Sequence, residues 1–143
     1  MPQFSDDRRQ HLSLIQTVIG RMSSASAVAK GWALTIATAT YGYAGTKSSA
    51  IVAILGGLAV LLFAIVDARY LREERKYRLL FDAARAETAE LYEMNATRYC
   101  DSLTGADTAT IRWRAVAGSW SVRDYYGVIV LVGVALLVWL RCR

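Results

Sequence analysis

The chain has 143 residues, enough for one domain, with 55% hydrophobic residues, 20% charged residues and a formal net charge of +5. The hydrophobic share is high for a soluble globular protein, and so modest a positive charge gives no reason to expect a nucleic-acid partner. One histidine and two cysteines provide no zinc-type spacing, so we expect no metal site.

The N-terminal segment, residues 1–30, predicts a cytoplasmic amphipathic helix. Leu12, Ile15, Ile19 and Met22 recur at intervals of three or four residues, and Ser5 or Asp6 can cap the helix start. The polar opening "MPQFSDDRRQ" argues against a secretory signal peptide. Three roles stay open for the helix, namely docking on a partner, lying on the membrane surface, or packing against the chain's own cytoplasmic helix.

Three runs without charge, at 31–46, 50–66 and 125–140, predict three transmembrane helices. At ~1.5 Å per residue each run covers roughly 24 to 26 Å, slightly less than a hydrocarbon core of ~30 Å. Flanking residues that reach the interface make such lengths compatible with insertion. The alternative, a soluble helical bundle, is disfavoured because the chain has too little polar surface to cover three such runs.

The first two runs form a predicted transmembrane hairpin, residues 31–66, because only "GTKSS" separates them. Small residues recur on both helices, and such residues let transmembrane helices approach closely. The same signature fits the wall of a water-lined pore. We therefore predict a helix-packing or pore-lining role, with both interpretations open, for Thr35, Thr38, Gly42, Gly57 and Ala64.

The second run passes directly into the charged stretch "DARYLREERKYR", residues 67–78, without Gly, Pro or Asn. We therefore expect one continuous helix to about Asn95, with pairs such as Glu74 and Arg78 supporting it. An apolar stripe that includes Tyr77 and Phe81 needs a partner, either the N-terminal helix or a neighbouring subunit. The predicted junction between span and cytoplasmic helix contains Asp67, Arg69, Tyr70, Arg72, Arg75 and Arg78.

Asp67 allows two interpretations. An acid at the boundary of a span can be a proton or ion site. We favour a carboxylate that is solvated at the interface and paired with Arg69 or Arg72, because that is the more frequent arrangement.

Residues 67–124 are expected to be cytoplasmic, as a helix followed by an irregular segment, and 125–143 to form the third span. Trp113 and Trp120 precede that span and suit the membrane surface. Because arginine and aromatic side chains stack and bind anions, a contact site for a signal nucleotide or a partner is conceivable at Arg112, Trp113, Arg114 and Trp120.

Lysine and arginine counts predict the topology. Four lie before the first span, one between the first two, ten between the second and third, and two at the end. The positive-inside rule then places the N-terminus and residues 67–124 in the cytoplasm of a bacterial cell, with the chain in the inner membrane. Anionic lipid headgroups are the expected partner of the basic residues after Asp67.

The sequence carries no nucleophile elbow, phosphate-binding loop or metalloprotease motif. Glu73 and Glu74 are adjacent on a helix, so they point about 100° apart and do not form an acid pair. We therefore expect no enzyme activity and no cofactor.

Two motifs carry a resemblance to a known family. "IQ..I.RM...S...KGW" lies at the start of the first span and "D..YLR.ER.YR.L" follows the second, and the matched residues include Ser26, Lys30 and Asp67. Over residues 10 to 85 the chain resembles the SLATT-type bacterial membrane proteins. That resemblance implies a membrane-disrupting effector of antiphage defence that oligomerises and responds, through its cytoplasmic helices, to a cyclic nucleotide signal or a soluble defence protein. The chain differs from that pattern in its third span.

The expected fold is an all-α membrane protein with three transmembrane helices, the second continuing into a long cytoplasmic helix, behind an N-terminal amphipathic helix. The expected function is an oligomeric, pore-forming effector that permeabilises the inner membrane. The alternative is a non-enzymatic membrane anchor that docks a soluble enzyme. A small transporter is disfavoured because no span holds an ionisable group at mid-depth.

Overall fold

The computed structural model describes residues 5–103 and 109–142, and within those ranges the chain is helical, with no strand. The helices are α1 (Asp6–Lys47), α2 (Ala50–Arg85), α3 (Ala96–Asp101), α4 (Trp113–Ala117) and α5 (Trp120–Cys142). The expected all-α fold is confirmed. Residues 1–4 of the predicted N-terminal segment, 104–108 of the irregular segment and 143 of the third span lie outside the described residues.

The contacts divide the chain into two compact units. Unit 1 contains Met1–Ala25 and Tyr70–Val116, and unit 2 contains Ser26–Arg69 and Ala117–Arg143. The predicted N-terminal helix and the first apolar run belong to one helix, α1, which is continuous across residue 30.

Unit 2 begins with an antiparallel hairpin, as the short connection predicts. α1 runs through most of "GTKSS" and ends at Lys47, so only Ser48 and Ser49 lie outside a helix. The Ser49 amide donates to the Ala44 carbonyl at 3.1 Å, and Ser48 has a φ of 52°. This is the Schellman ending of a helix, with serine at the left-handed position that glycine usually occupies.

The hairpin packs through an alanine-rich face of α1. Small side chains on that face let α2 and α5 approach closely. The closest approaches are at two glycines: a Cβ atom on Gly56 would lie 2.8 Å from Thr40 Cβ, and one on Gly133 would lie 2.5 Å from Tyr41 Oη. The buried residues of this face are Ala29, Ala33, Ala37, Tyr41 and Ala44.

The predicted packing face of α1 is therefore wrong for contacts within the chain. Thr35, Thr38 and Gly42 are exposed, and a Cβ atom on Gly42 would meet nothing within 4 Å. At ~100° per residue they lie about 120–180° around the helix from the alanine face. On α2, Gly57 and Ala64 are partly buried, so the prediction of packing holds better there.

α2 and α5 are long and apolar enough to cross a membrane, and they are the two helices among the described residues that meet this criterion. α5 begins at Trp120, before the predicted start of the third span at residue 125. α1 falls short of the criterion because hydroxyl-bearing and glycine residues occupy much of its 31–46 run.

Unit 1 has its own hydrophobic core, formed by the first half of α1, the second half of α2 and the segment that follows. Ile15 and Leu80 are fully buried at its centre, and Tyr77 and Phe81 pack against it. The apolar stripe of α2 thus has its partner in the N-terminal helix of the same chain. Ser5 caps α1, since its hydroxyl accepts from the Arg8 amide at 3.3 Å.

The predicted continuation of α2 to Asn95 is wrong, because the helix ends at Arg85. The Thr88 amide donates to the Ala83 carbonyl at 3.0 Å, and Glu87 has a φ of 60°. This is a second Schellman ending, again without glycine. The turn places Ala89 in the core of unit 1, where it is 7% exposed.

The first turns of α1 hold the segment 86–95. Arg8 donates to the Ala89 carbonyl at 3.3 Å, and the fully buried His11 donates through Nε2 to the Glu93 carbonyl at 2.9 Å. The Tyr92 hydroxyl lies 3.3 Å from an Asp7 carboxylate oxygen, although Tyr92 itself has a φ of 64°. These contacts compensate for two left-handed residues in a short segment.

We predict that Gly56→Ala destabilises the hairpin, because its methyl group would overlap Thr40 at the point where the two backbones are closest. Gly42→Ala is the matched control, since its methyl group enters open space and alanine favours a helix by about 0.5–1 kcal/mol over glycine. Thermal unfolding in detergent, followed by circular dichroism, should show a lower midpoint for the first variant only. Equal midpoints would contradict the packing described for unit 2.

Candidate functional site

A buried cluster of charged and polar side chains lies within unit 2, where α1, α2 and α5 meet. Asp67 of α2 is fully buried, and its carboxylate contacts Ser26 and Lys30 of α1. Lys30 Nζ lies 2.6 Å from Asp67 Oδ2, and the Ser26 hydroxyl donates to Asp67 Oδ1. Lys30 also donates to Ser26 Oγ at 2.9 Å, so the three side chains form a closed set.

The local helix geometry explains why these side chains meet. Ser26 and Lys30 are four residues apart and share a face of α1. Lys30 lies seventeen residues before the end of α1 at Lys47, and Asp67 lies seventeen residues after the start of α2 at Ala50. In an antiparallel hairpin, equal distances from the turn place two residues side by side, here about 25 Å from the turn.

α5 adds two tyrosine hydroxyls to the same region. Tyr125 donates to the Lys30 carbonyl at 2.9 Å, and Tyr126 donates to the Phe63 carbonyl at 3.4 Å. The two rings contact edge to face, with centroids 5.2 Å apart. Each tyrosine thus ties α5 to the hairpin, one to α1 and the other to α2.

In this cluster the negative charge of Asp67 and the positive charge of Lys30 compensate each other. A buried carboxylate is costly unless an opposite charge and hydrogen bonds satisfy it, and here Lys30 and Ser26 supply both. The side chain of Lys30 is 21% exposed, so the ammonium keeps partial contact with the surroundings while the carboxylate has none. The pair is neutral as a unit and can stay buried only while both partners are in place.

The favoured interpretation of Asp67 is therefore wrong. The carboxylate is not solvated, and its cationic partner is Lys30 rather than Arg69 or Arg72. Arg69 is exposed, whereas Arg72 and Arg75 donate to the carbonyls of Ile111 and Thr110 in unit 1, at 3.0 and 2.7 Å. Asp67 thus packs within unit 2, whereas Arg72 and Arg75 bind the segment around α4 in unit 1.

The remaining junction residues also belong to unit 1. Tyr70 is 38% exposed, and Arg78 pairs with the nearly buried Glu74 at 2.6 Å. Glu74 and Arg78 are one of the i, i+4 pairs that the sequence predicts.

The predicted contact site around residue 113 takes a different form. The Arg72 guanidinium lies over the Trp113 ring, with its central carbon 5.0 Å from the ring centroid. Arg112 and Arg114 are exposed beside it, and Trp120 belongs to unit 2, where it is 77% exposed. One face of Trp113 is thus occupied by an arginine of the chain itself, and the four residues do not belong to one described unit.

Sequence reasoning singled out Asp67 but assigned it the wrong partner. In the sequence, Ser26 and Lys30 stand out only as members of a motif, and no pattern links Tyr125 and Tyr126 to Asp67. The equal distance of Lys30 and Asp67 from the hairpin turn was a usable signal for the pair. Within the described ranges, no group of three or more His, Cys, Asp or Glu residues could hold a metal ion.

We predict that Lys30→Met destabilises the protein by about 3–5 kcal/mol, because it leaves the buried Asp67 carboxylate without its counter-charge. The double variant Lys30→Met/Asp67→Asn should recover at least half of that loss, since it removes both charges. Denaturant unfolding in detergent measures both changes.

Asp124→Asn serves as the control, because the Arg123–Asp124 pair is exposed, and it should change stability little. A double variant no more stable than Lys30→Met would contradict charge compensation as the basis of the cluster.

Comparison with known proteins gives no family for this chain. No family model, no curated protein and no solved structure matches it.

Proposed function

We propose that the chain is an oligomeric effector that permeabilises the bacterial inner membrane in an antiphage defence system. In this proposal the three helices of unit 2 cross the membrane, with the N-terminus and unit 1 in the cytoplasm. A signal or partner that acts on unit 1, a cyclic nucleotide or a soluble defence protein, activates it.

The observation that carries the proposal is the exposed face of α1. Gly31, Thr35, Thr38 and Gly42 lie on one side of that helix, away from the rest of unit 2, and the glycines have open space around them. Elsewhere in unit 2 the exposed residues are largely aliphatic, such as Leu62 at 64% and Leu131 at 68% exposure. In a bilayer, small and hydroxyl-bearing faces pack against other helices or line water, whereas aliphatic faces contact lipid.

The hydroxyl groups on this face suit either role. Thr35 donates to the Gly31 carbonyl at 3.0 Å and Thr38 to the Leu34 carbonyl at 2.8 Å. Their protons are satisfied within the helix, and both side chains are exposed, so their oxygens can still accept hydrogen bonds. A ring of such faces from several copies would bring polar surface together at the centre and keep it from lipid.

The cluster around Asp67 supports a resting state that a movement of α2 could convert to an active one. α2 is one helix through Val66 and Asp67, so the buried carboxylate is on the same helix as Arg72 and Arg75, which bind the segment around α4. An event that moves the cytoplasmic half of α2 would separate Asp67 from Lys30 and leave each charge uncompensated. Ser26, Lys30 and Asp67, which also belong to the two sequence motifs, form this cluster.

We predict that the purified protein forms a defined oligomer and releases carboxyfluorescein from anionic liposomes, alone or after addition of a cyclic nucleotide. Gly42→Leu should reduce both cross-linked oligomer and dye release at least tenfold, because it fills the exposed face of α1. Gly127→Leu is the control on α5, where a Cβ atom also meets open space, and it should change neither.

A stable monomer that stays silent with each nucleotide, and with co-expressed soluble proteins from the same system, would overturn the effector function. Binding of a soluble enzyme by that silent monomer would favour the membrane-anchor alternative instead.

We also predict the topology from the two cysteines. Cys142 is exposed at the end of α5 and should react from the outside of intact cells with a membrane-impermeant maleimide. Cys100 is 3% exposed in unit 1, and burial raises the pKa of its thiol. Because the thiolate is the reactive form, Cys100 should label slowly at neutral pH even after lysis, and faster as the pH rises. Labelling of Cys142 only after lysis would overturn the proposed orientation.

A further inference from the structure

An apolar groove crosses the surface of unit 2 between α2 and α5, with Tyr41 of α1 at its base. Its volume is about 190 Å³. Aliphatic side chains form the rims, with Ile54 and Leu58 on α2 and Val134 on α5, each 50–53% exposed. The groove therefore opens on the same aliphatic surface that the proposed function places against lipid.

The Tyr41 hydroxyl is the polar group of this groove. Tyr41 is 9% exposed, and its side chain extends to a notch where two helices carry glycine. A Cβ atom on Gly57 would lie 3.7 Å from Tyr41 Oη, and one on Gly133 would lie 2.5 Å from it. The two glycines thus make room for the hydroxyl and leave it at the base of the groove.

This hydroxyl has no hydrogen-bond partner among the residues that the structure describes, in contrast to the other two buried or half-buried tyrosines of the unit. Tyr125 and Tyr126 each donate to a backbone carbonyl, at 2.9 and 3.4 Å. Leaving a hydroxyl in apolar surroundings without an acceptor costs free energy. A ligand that brings an acceptor oxygen to Tyr41 Oη would remove that cost.

The size of the groove limits what can occupy it. One turn of a helix of ~10 Å diameter and ~5.4 Å pitch fills roughly 400 Å³, about twice the volume of the groove. A complete helix turn of a second copy therefore does not fit inside it, although side chains of such a helix could. An apolar cavity of about 150 Å³ is known to hold a molecule as large as benzene, so a ring or a short aliphatic chain fits.

We propose that this groove binds a membrane-dissolved amphiphile, an aliphatic or aromatic body that carries one hydroxyl or carbonyl oxygen. The oxygen accepts from Tyr41 Oη, and the body lies between the aliphatic rims. Small-molecule sites in proteins have this composition, with apolar walls and a few polar groups that fix orientation. The inference takes from the proposed function only that these helices lie in a bilayer.

The test uses the full-length protein in lipid nanodiscs and two photoreactive probes, a diazirine-bearing octanol and the matching diazirine-bearing octane. We expect the alcohol to label groove residues at least fivefold more than the alkane, with adducts mapped by mass spectrometry. Tyr41→Phe keeps the ring and removes the hydroxyl, so it should abolish this preference. Tyr43→Phe is the control, because Tyr43 is 54% exposed on the same helix.

A second variant covers the case in which Tyr41→Phe perturbs the fold. Gly57→Val fills the groove beside the hydroxyl and should reduce labelling by both probes. Equal labelling of the wild type by alcohol and alkane, or a preference that survives Tyr41→Phe, would overturn the proposal and leave only a lipid-facing groove.

Failure of the proposed function is detected separately. Flotation of the reconstituted protein reports whether it inserts, and dye release reports permeabilisation. The labelling comparison can be repeated in detergent micelles, so the site is tested even if the protein releases no dye.

Discussion

The buried pair of Lys30 and Asp67 is the constraint on which unit 2 depends. Hydrophobic packing alone would tolerate small shifts of the hairpin register, but a fully buried carboxylate does not, because it must meet its ammonium group and a hydroxyl together. Ser26 and Lys30 therefore fix where α2 lies along α1, and Tyr125 fixes α5 to the same level through the Lys30 carbonyl. We expect the charge pair to contribute more to the specificity of this arrangement than to net stability, because desolvation of both charges offsets much of their attraction.

On either side of the Lys30–Asp67 pair, small residues determine how closely the helices of unit 2 approach and which helix faces are exposed. The alanines of α1 face inward with Tyr41, and Gly56 and Gly133 receive Thr40 and Tyr41. On the other side of α1, Thr35 and Thr38 are exposed, and a Cβ atom on Gly31 or Gly42 would meet no described residue within 4 Å. One helix thus carries two small-residue faces, of which one packs inside unit 2 and the other is exposed.

Composition and periodicity were enough to predict an all-helical chain and the hairpin, but they left open whether the apolar stripe of α2 packs against the N-terminal helix or against a neighbouring subunit. They did not identify the inner face of α1, because alanine, glycine and threonine all satisfy the small-residue pattern and only tertiary contact selects among them. Asp67 was recognised as unusual, yet its partner lies 37 positions earlier in the sequence, and nearby arginines were the obvious candidates. The ends of α1 and α2 could not be predicted from a glycine in the sequence, because Ser48 and Glu87 occupy the left-handed positions there.

The second of those endings has a consequence for the segment 86–95. Its sequence, "AETAELYEMN", is rich in alanine, glutamate and leucine, which favour a helix. Contacts from the first turns of α1 and burial of Ala89 hold it in a turn against that local preference. The position at which α2 ends therefore depends on a competition between local helix propensity and tertiary contacts. No helix-terminating residue such as glycine or proline sets it. If these ten residues became helical they would lengthen α2 by about 15 Å. The contacts with the first turns of α1 thus hold back a segment that could extend the helix.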